Sequence, residues 1–415
     1  KINMGEKIKV LAVPSDRSGV GYFRSLNPHL KLASMYSNDF DVTIDDHPDW
    51  SDLSSFSNYN IIHYSKGLGN RADQTDAITK VLKEKRVTMV MDIDDYWDVG
   101  YNHPSYLEQK QYHIAEILKN NLKNADYVTT TTPIFATEIK KFNSNVEILP
   151  NAIDTSDSEF IPHDEPCKRL RIGLIMGSSH EQDMELIRGM VSSLTDIQDK
   201  IQWVLCGYDL RGTIKMYNPQ TKEMQERPIL PKESVWYRYE KIITDDYRIC
   251  SPEYKAMLLQ FKPADNFPGA EDMPYRRFWT KPITSYATHY NHIDVLLAPL
   301  KETQFNKVKS PLKVAEAGMF SKALIAQNFG PYTLDLVNAN GKGGEINPEG
   351  NAMLIDTIRN HKDWAKSIRK LVNNPDLVQQ LKTNLHNTVK DKYSIETVTK
   401  QRAEFYKKIM EDKQK

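Results

Sequence analysis

The feature that most constrains this chain is an alternation of short buried strands with helical segments, run through twice. Lys7–Val13 is a short apolar strand, followed by Ser15-Asp-Arg-Ser-Gly-Val-Gly21 and a helical pattern from Tyr22 to about Met35. Asn60–Tyr64, Thr88–Ile93, Tyr127–Thr131 and Val146–Leu149 are further short strands rich in β-branched or aromatic residues. Helical patterns at Gln74–Glu84 and Tyr106–Leu122 separate them. Strands of this length, with helices between, form βαβ units and a parallel sheet buried on both faces. The second half restarts the series. Arg171–Met176 is a strand, Gly177-Ser-Ser-His180 a small-residue loop and Glu181–Ser193 a helix, followed by strands Gln202–Cys206, Asp294–Ala298 and Ala323–Gln327.

Two such halves in 415 residues predict two Rossmann-like α/β domains facing one another across a cleft. The polar, proline-bearing stretch Asp154–Cys167 predicts the linker, giving domains at 1–160 and 168–393, followed by a terminal helix over 394–415. Between 207 and 282 the alternation lapses. That segment carries Tyr217, Trp236, Tyr237, Tyr239, Tyr247, Tyr254, Tyr275, Phe278 and Trp279, too many aromatics for a disordered linker, and predicts an ordered elaboration with a short helix around Glu253–Phe261.

Composition excludes some classes of function. The 55 basic and 55 acidic residues balance, which argues against nucleic-acid binding driven by net charge. No run approaches the eighteen or so apolar residues of a membrane span, which leaves peripheral contact with a membrane surface as the compatible mode. Lys-Ile-Asn-Met-Gly-Glu-Lys leads directly into the first strand, so no secretory signal is expected. Three cysteines without metal-type spacing (Cys167, Cys206, Cys250) fit a reducing, cytoplasmic setting, with Cys206 and Cys250 as buried fillers.

In open parallel sheets ligands bind beyond the carboxyl ends of the strands, and the glycine- and serine-rich loops fall at those ends. The richest segment is Asn306-Lys-Val-Lys-Ser-Pro-Leu-Lys-Val-Ala-Glu316. Ser310 followed by Pro311 predicts an N-cap and a first-turn proline. Lys309 and Lys313 then stand at the positive end of the helix, where cations are disfavoured unless an anion docks there. Free N–H groups, a hydroxyl and two ammonium groups suit a phosphate or diphosphate; two solvated lysines are the plain alternative.

A second cluster, Met91-Asp92-Ile-Asp94-Asp95-Tyr-Trp97, follows an apolar strand. Three readings stand: a metal-binding Asp-x-Asp, carboxylates lining a cleft, or strand-end carboxylates capping the next turn. His180 suits either a phosphate contact, with donation to a leaving oxygen, or a helix cap. Arg24 suits either the cleft or the helix surface. His63 and His103 follow strands and fit structural histidines better.

The order of these motifs resembles the glycosyltransferases of the two-Rossmann (GT-B) fold, and most closely retaining family 4 with its glycosyltransferase group 1 domain. The resemblance rests on Gly19-Val-Gly21, Leu149-Pro-Asn-Ala-Ile-Asp154, Leu297-Ala-Pro-Leu300 and Lys309-Ser-Pro-Leu-Lys313 with Glu316 and Gly318. It continues through Lys322-Ala-Leu-Ile-Ala326, Gly330-Pro-Tyr332 and Tyr393-Ser394. It implies that the terminal helix crosses back to the first domain, and a hexosyltransferase of polysaccharide biosynthesis that takes a nucleotide sugar and acts on a glycan, lipid-linked or protein acceptor, retaining, with no metal and no other cofactor. Carried over residue by residue, Gly177, Ser178, Asn306, Lys309, Ser310, Lys313 and Glu316 hold the donor, Glu316 at the ribose. Gly19, Gly21 and Arg24 form a cleft loop, and Asp94, Asp95 and His180 are the catalytic candidates. Two departures stand out. Val308 occupies the position of the family's first glutamate, and Gly177–His180 lacks the Arg and Lys usually found there. A nucleotide-sugar epimerase of the same architecture, or a binding module without activity, are the alternatives.

Overall fold

The computed structural model describes residues 5–415 except 164, 264–266, 357 and 359, and the side chain of Ala72. Residues 1–4 of the expected first domain, Asp164 of the expected linker and 264–266 of the expected elaboration therefore lie outside the described residues, as do 357 and 359 of the expected second domain. The chain divides into two compact units, Lys1–Thr155 with Glu302–Ala315 and Val389–Lys415, and Ser156–Lys301 with Glu316–Thr388.

The first unit is built on six strands, β1 (Ile8–Val13), β2 (Phe40–Ile44), β3 (Ile61–Ser65), β4 (Thr88–Asp92), β5 (Tyr127–Thr130) and β6 (Val146–Ile148), in the order β2-β1-β3-β4-β5-β6. Every neighbouring pair is parallel, with Val10 against Ile61 and Ile62 against Met89. The central strand β4 is buried at all five positions, which is why its sequence is a continuous run rather than an alternation. β2, between Met35 and Asp45, was not expected from the sequence. Its residues Phe40, Asp41, Val42, Thr43 and Ile44 alternate as an edge strand's should, and only Phe40 is fully buried.

The helical stretch expected from Tyr22 starts at Gly19 and carries a π-helical turn over Tyr22–Leu26 before Asn27–Met35. Pro28 supplies a reason: it has no N–H to return to the carbonyl four residues back, and Asn27 N–H reaches Tyr22 O instead. The expected helix Tyr106–Leu122 is two, Tyr106–Gln111 and Ile114–Asn124, because His113 between them takes a left-handed conformation at φ 53°.

The terminal helix Ile395–Gln414 belongs to the first unit. Phe405, Tyr406, Ile409 and Met410 pack with Val10, Leu32, Phe40 and Val90. His29 Nδ1–H donates to Ser25 O at 2.8 Å, so its Nε2 accepts from the Tyr406 hydroxyl, also at 2.8 Å. Burial and the nearby Arg402 hold the His29 imidazole neutral by lowering its pKa well below the usual range. At the start of the helix, Ile153 N–H donates to Tyr393 O at 2.8 Å and Ile395 N–H to Ile153 O at 3.0 Å.

The second unit repeats the plan with β7 (Leu170–Ile175), β8 (Ile201–Tyr208), β11 (Tyr275–Trp279), β12 (Val295–Ala298), β13 (Ala323–Gln327) and β14 (Met353–Ile355). They form an all-parallel sheet ordered β11-β8-β7-β12-β13-β14. Its core gathers Leu174, Met190, Trp203, Leu205, Tyr239, Tyr254, Val295 and Trp364. The helix expected over Glu181–Ser193 stops at Glu185, and Gly189 at φ 89° breaks the continuation. A β-carbon there would stand 2.8 Å from the His361 ring.

The aromatic segment after β8 holds a separate antiparallel hairpin, β9 (Thr213–Asn218) with β10 (Glu223–Pro228), and two helices, Val235–Ile243 and Pro252–Leu258. Buried Glu240 orders it. Its carboxylate accepts from Arg277 (2.5 and 2.8 Å), Tyr247 (2.8 Å) and Tyr275 (2.6 Å). Each lone pair of a fully buried anion is thereby met, the condition under which such a charge persists. No helix among the described residues is long and apolar enough to cross a membrane.

Candidate functional site

In the first unit the loops that follow β1, β3, β4 and β6 meet at the carboxyl ends of the strands, with Glu302–Ala315 packed in the same unit. Val308 explains the last point. It is fully buried in the first unit's apolar cluster with Trp97 and Phe135, although the sequence reading placed all of 168–393 in the other domain. The position that departs from the family pattern is thus an apolar anchor.

The loop after β1 is shaped by Asp16, whose Oδ1 accepts Ser18 N–H at 3.0 Å and Gly21 N–H at 3.1 Å. A β-carbon on Gly21 would stand 2.0 Å from Asp16 O, so this backbone approach requires glycine, and Gly19 takes φ 47°. Arg24 follows on the π-helical turn. It lies neither on the helix surface nor open to solvent: its side chain is 3% exposed.

Its guanidinium donates to Asp92 Oδ2 (Nε, 3.1 Å) and Oδ1 (Nη2, 2.7 Å), and through Nη1 to Leu149 O (2.5 Å) and Asn151 Oδ1 (3.2 Å). Asp92 also accepts from the Thr129 hydroxyl at 2.7 Å. The first carboxylate of the Asp-x-Asp motif is therefore spent on an internal ion pair. Asn151 passes the network on, its Nδ2 donating to Ser310 Oγ at 3.0 Å. Asp92, Arg24, Asn151 and Ser310 form one hydrogen-bonded chain that joins the end of β4, the π-helical turn and two loops. The regular helix starts at Leu312, two residues past Ser310, with Pro311 O accepting from Val314 and Ala315 N–H.

Around this chain lie the titratable groups. Asp94, half-buried two residues beyond Asp92, has its pKa pushed up to about 6, first by burial and then by the charge of Asp95, with Lys66 and Arg24 opposing. Lys309 Nζ stands 5.3 Å over the Phe305 ring, and His103 lies 5.3 Å from the same ring. Burial and the Lys309 charge lower the His103 pKa. Ser105 N–H donates to His103 Nδ1 at 3.1 Å, so the neutral ring carries its proton on Nε2 and offers a donor. Asn306 is buried at the end of a short turn, its N–H donating to Thr303 Oγ1 at 3.1 Å. Lys313 is half-buried on the helix.

Two participants escaped the sequence reading. Lys66 occupies a left-handed position at φ 64°, its N–H bonded to Asp92 O at 3.0 Å, and it acts on Asp94 electrostatically. The signal was the Ser65-Lys66-Gly67 loop at a strand end. From the sequence His103 fits a structural histidine, and only its neighbours Lys309 and Phe305 mark it otherwise.

In the second unit, Gly177 and Ser178 are exposed in the loop after β7. The Tyr239 hydroxyl donates to Gly177 O and accepts from His180 N–H, both at 3.0 Å. His180 Nδ1 bonds Asp183 Oδ2 at 2.7 Å, and Asp183 Oδ1 accepts Lys301 N–H at 2.7 Å. The loops after β7 and β12 are thereby tied together. Glu316 is 4% exposed, with its carboxyl group bonded to the hydroxyls of Tyr286 and Tyr290 (3.2 Å for the latter). Burial, helped by the charge of Glu159, raises its pKa well above the usual carboxylate range. The structure thus collects Gly19, Gly21, Arg24, Asp94, Asp95, Asn306, Lys309, Ser310 and Lys313 in one unit. It places Gly177, Ser178, His180 and Glu316 in the other.

No model of a known protein family matches the chain, and no curated protein sequence matches it. Solved structures do. A sucrose-phosphate synthase from Thermosynechococcus elongatus superposes with TM-score 0.61 at 13% identity, covering 98% of this chain and 100% of its own. HepE from Anabaena, solved in complex with UDP and glucose, gives 0.59 at 11% identity over 97% and 100%. A Listeria monocytogenes protein provisionally assigned as a UDP-N-acetylglucosamine 2-epimerase gives 0.51 at 10% identity over 98% of both chains. These likenesses establish the fold, two parallel-sheet Rossmann-like domains of the GT-B type.

Proposed function

We propose that this chain is a glycosyltransferase that moves a sugar from a nucleotide-sugar donor to a glycan, lipid-linked or protein acceptor, with retention of configuration and without a metal ion. The observation that carries the reading is the Asp92–Arg24–Asn151–Ser310 chain, which fixes Ser310 beside Lys309 in the unit that also holds Asp94, Asp95 and His103. Departure of a nucleoside diphosphate needs positive charge and donors where negative charge develops. Lys309, the Ser310 hydroxyl, Lys313 and the first amides of Leu312–Met319 supply them, as the helix N-terminus does for phosphates generally. Neutral His103 adds an Nε2–H donor. Asp94 and Asp95 accept from sugar or acceptor hydroxyls. Independence from metal is supported by the engagement of Asp92, which leaves the Asp-x-Asp motif one carboxylate short of a chelating pair. That UDP and glucose occupy HepE, a protein of the same fold, favours a nucleoside diphosphate leaving group.

The experiment is titration calorimetry with nucleoside diphosphates and the matching nucleosides. Changing Lys309 and Lys313 together to Ala should weaken diphosphate binding by about 2–4 kcal/mol and leave nucleoside binding nearly intact. Equal loss for both ligands, or no loss, would sink the assignment. The Listeria likeness favours epimerisation as the second reading. Conversion of a nucleotide sugar with no acceptor present would select it, and tight binding with no turnover would select a module without activity.

A further inference from the structure

The amino-terminal edge of the first sheet, opposite the candidate site, carries a cavity of 1040 Å³. Lys7 and Lys9 at the start of β1, Lys85 and Arg86 just before β4, and Lys413 on the terminal helix line it. Only two carboxylates, Glu6 and Asp41, share the wall, and the rest is polar or apolar, with Tyr59 and Asn60 among it. Among the described residues none of the five cations makes an ion pair, whereas Lys407, nearly two turns earlier on the same helix, is paired with Asp39.

Two further observations set this cavity apart from a solvated surface. Arg86 closes the helix Thr75–Glu84 in the left-handed region at φ 58°, its N–H bonded to Lys83 O and that of Val87 to Leu82 O. That cap position favours glycine, yet the chain keeps an arginine there. Lys413 donates to Arg86 O, which holds its ammonium beside another cation, and burial together with Arg86 lowers its pKa although Asp126 opposes. Five cations sharing a wall with two carboxylates, none of them ion-paired, are stabilised by an anion that binds them.

We propose that this cavity is a second binding site, for a polyvalent phosphate-bearing anion, separate from the nucleotide-sugar site. A phosphate ester or polyphosphate fits because several oxygens accept at once from Lys and Arg donors converging from three separate segments. The source is either a soluble phosphorylated compound or the headgroup of an anionic lipid.

The test uses the full chain, with sodium tripolyphosphate followed by calorimetry and with vesicles of phosphatidylglycerol or of phosphatidylcholine followed by co-sedimentation. The Lys9→Glu/Lys85→Glu variant should bind tripolyphosphate at least about tenfold more weakly. Lys9→Gln/Lys85→Gln, a milder change at the same exposed positions, should weaken it less, and both effects should shrink at high salt. The Lys309→Ala/Lys313→Ala variant should keep this binding event. Tripolyphosphate binding without vesicle binding identifies a soluble ligand. Charge-dependent capture by phosphatidylglycerol and not by phosphatidylcholine, lost in the charge-reversal variant, identifies a lipid headgroup. Absence of binding to both probes, or affinity unchanged by charge reversal, overturns the proposal. So does loss of all tripolyphosphate binding in Lys309→Ala/Lys313→Ala, because the anion would then be reporting the nucleotide-sugar site.

Discussion

Asp92 and Asp94 are two residues apart, and substituting each by asparagine should move stability in opposite directions. Asp94 carries a pKa of about 6 in the folded chain, against roughly 3.9 in an unfolded one. Below about pH 4 the group is protonated in both states and contributes nothing. Above pH 6 the folded chain holds an ionised carboxylate against burial and the charge of Asp95, and stability is lost as pH rises between those limits. Two units correspond to about 3 kcal/mol. Partial access of solvent to the carboxylate, and its sharing of charge with Asp95, trim that to about 1–2 kcal/mol. Asp94→Asn should therefore stabilise the protein by about 1–2 kcal/mol at pH 7.5 and be indistinguishable from the parent near pH 4. It should also depress turnover with nucleotide affinity nearly unchanged, since destabilised polar groups are retained at functional sites.

Asp92→Asn is the counterpart. It leaves the Arg24 guanidinium buried without its counter-charge, at an expected cost of about 3–5 kcal/mol. Adding Arg24→Met should recover part of that loss. Urea unfolding followed by tryptophan fluorescence at both pH values measures all four proteins. A neutral or destabilising Asp94→Asn at pH 7.5, or the same increment at both pH values, would refute the electrostatic reasoning. An Asp92→Asn cost under about 1 kcal/mol would refute the anchoring role of the ion pair.

Turnover of the nucleotide sugar that most raises the melting temperature should survive EDTA; loss on chelation with recovery on Mn²⁺ or Mg²⁺ would install the metal-dependent reading instead. Deleting residues from Thr397 onward strips Phe405, Tyr406, Ile409 and Met410 from the first unit's core. Since one buried aromatic is worth about 3–5 kcal/mol, the truncated chain should lose a cooperative first-unit transition and its activity, whereas an unchanged melt would make the helix an appendage. If the proposed donor site holds its ribose at Glu316, Glu316→Ala should weaken nucleoside binding; it should in any case cost stability by leaving the hydroxyls of Tyr286 and Tyr290 without their acceptor. Glu316→Gln, which keeps an acceptor of the same shape, should restore the stability, and equal melts for the two variants would argue against that arrangement.

What the sequence disclosed and what it withheld divide along a physical line. Local signals were legible. Continuous apolar runs marked the inner strands, because a parallel sheet covered on both faces needs no polar alternation. Glycine and serine loops marked the strand ends, because strand ends are where backbone groups run out of ladder partners. Edge strands were harder. β2 has only Phe40 fully buried, and β14 has only Met353, Leu354 and Ile355 to announce it. The hairpin β9–β10 is exposed along almost its whole length, so no hydrophobic pattern foretold it.

The site residues divide in the same way. Asp92, Asp94 and Asp95 look alike on the page, and nothing local says that one is an ion-pair anchor and another a strained carboxylate. That distinction is made by Arg24, 68 positions away, and it needs the π-helical turn at Tyr22–Leu26 that turns the guanidinium inward. Asn151 and Ser310 are 159 positions apart. Long-range pairs leave no spacing to read, and their energetic meaning comes from burial, which a lone sequence does not print. Val308 shows the consequence. By family pattern it is a missing glutamate, a sign of lost chemistry, yet in the fold it anchors Glu302–Ala315 in an apolar cluster. A carboxylate there would be buried without a partner, so the substitution and the packing of this segment imply one another. Positive charge near the proposed diphosphate then falls to Lys309 and Lys313, with no acid at 308 to offset it. That is why the double lysine variant is the most direct probe of whether the segment holds a diphosphate at all.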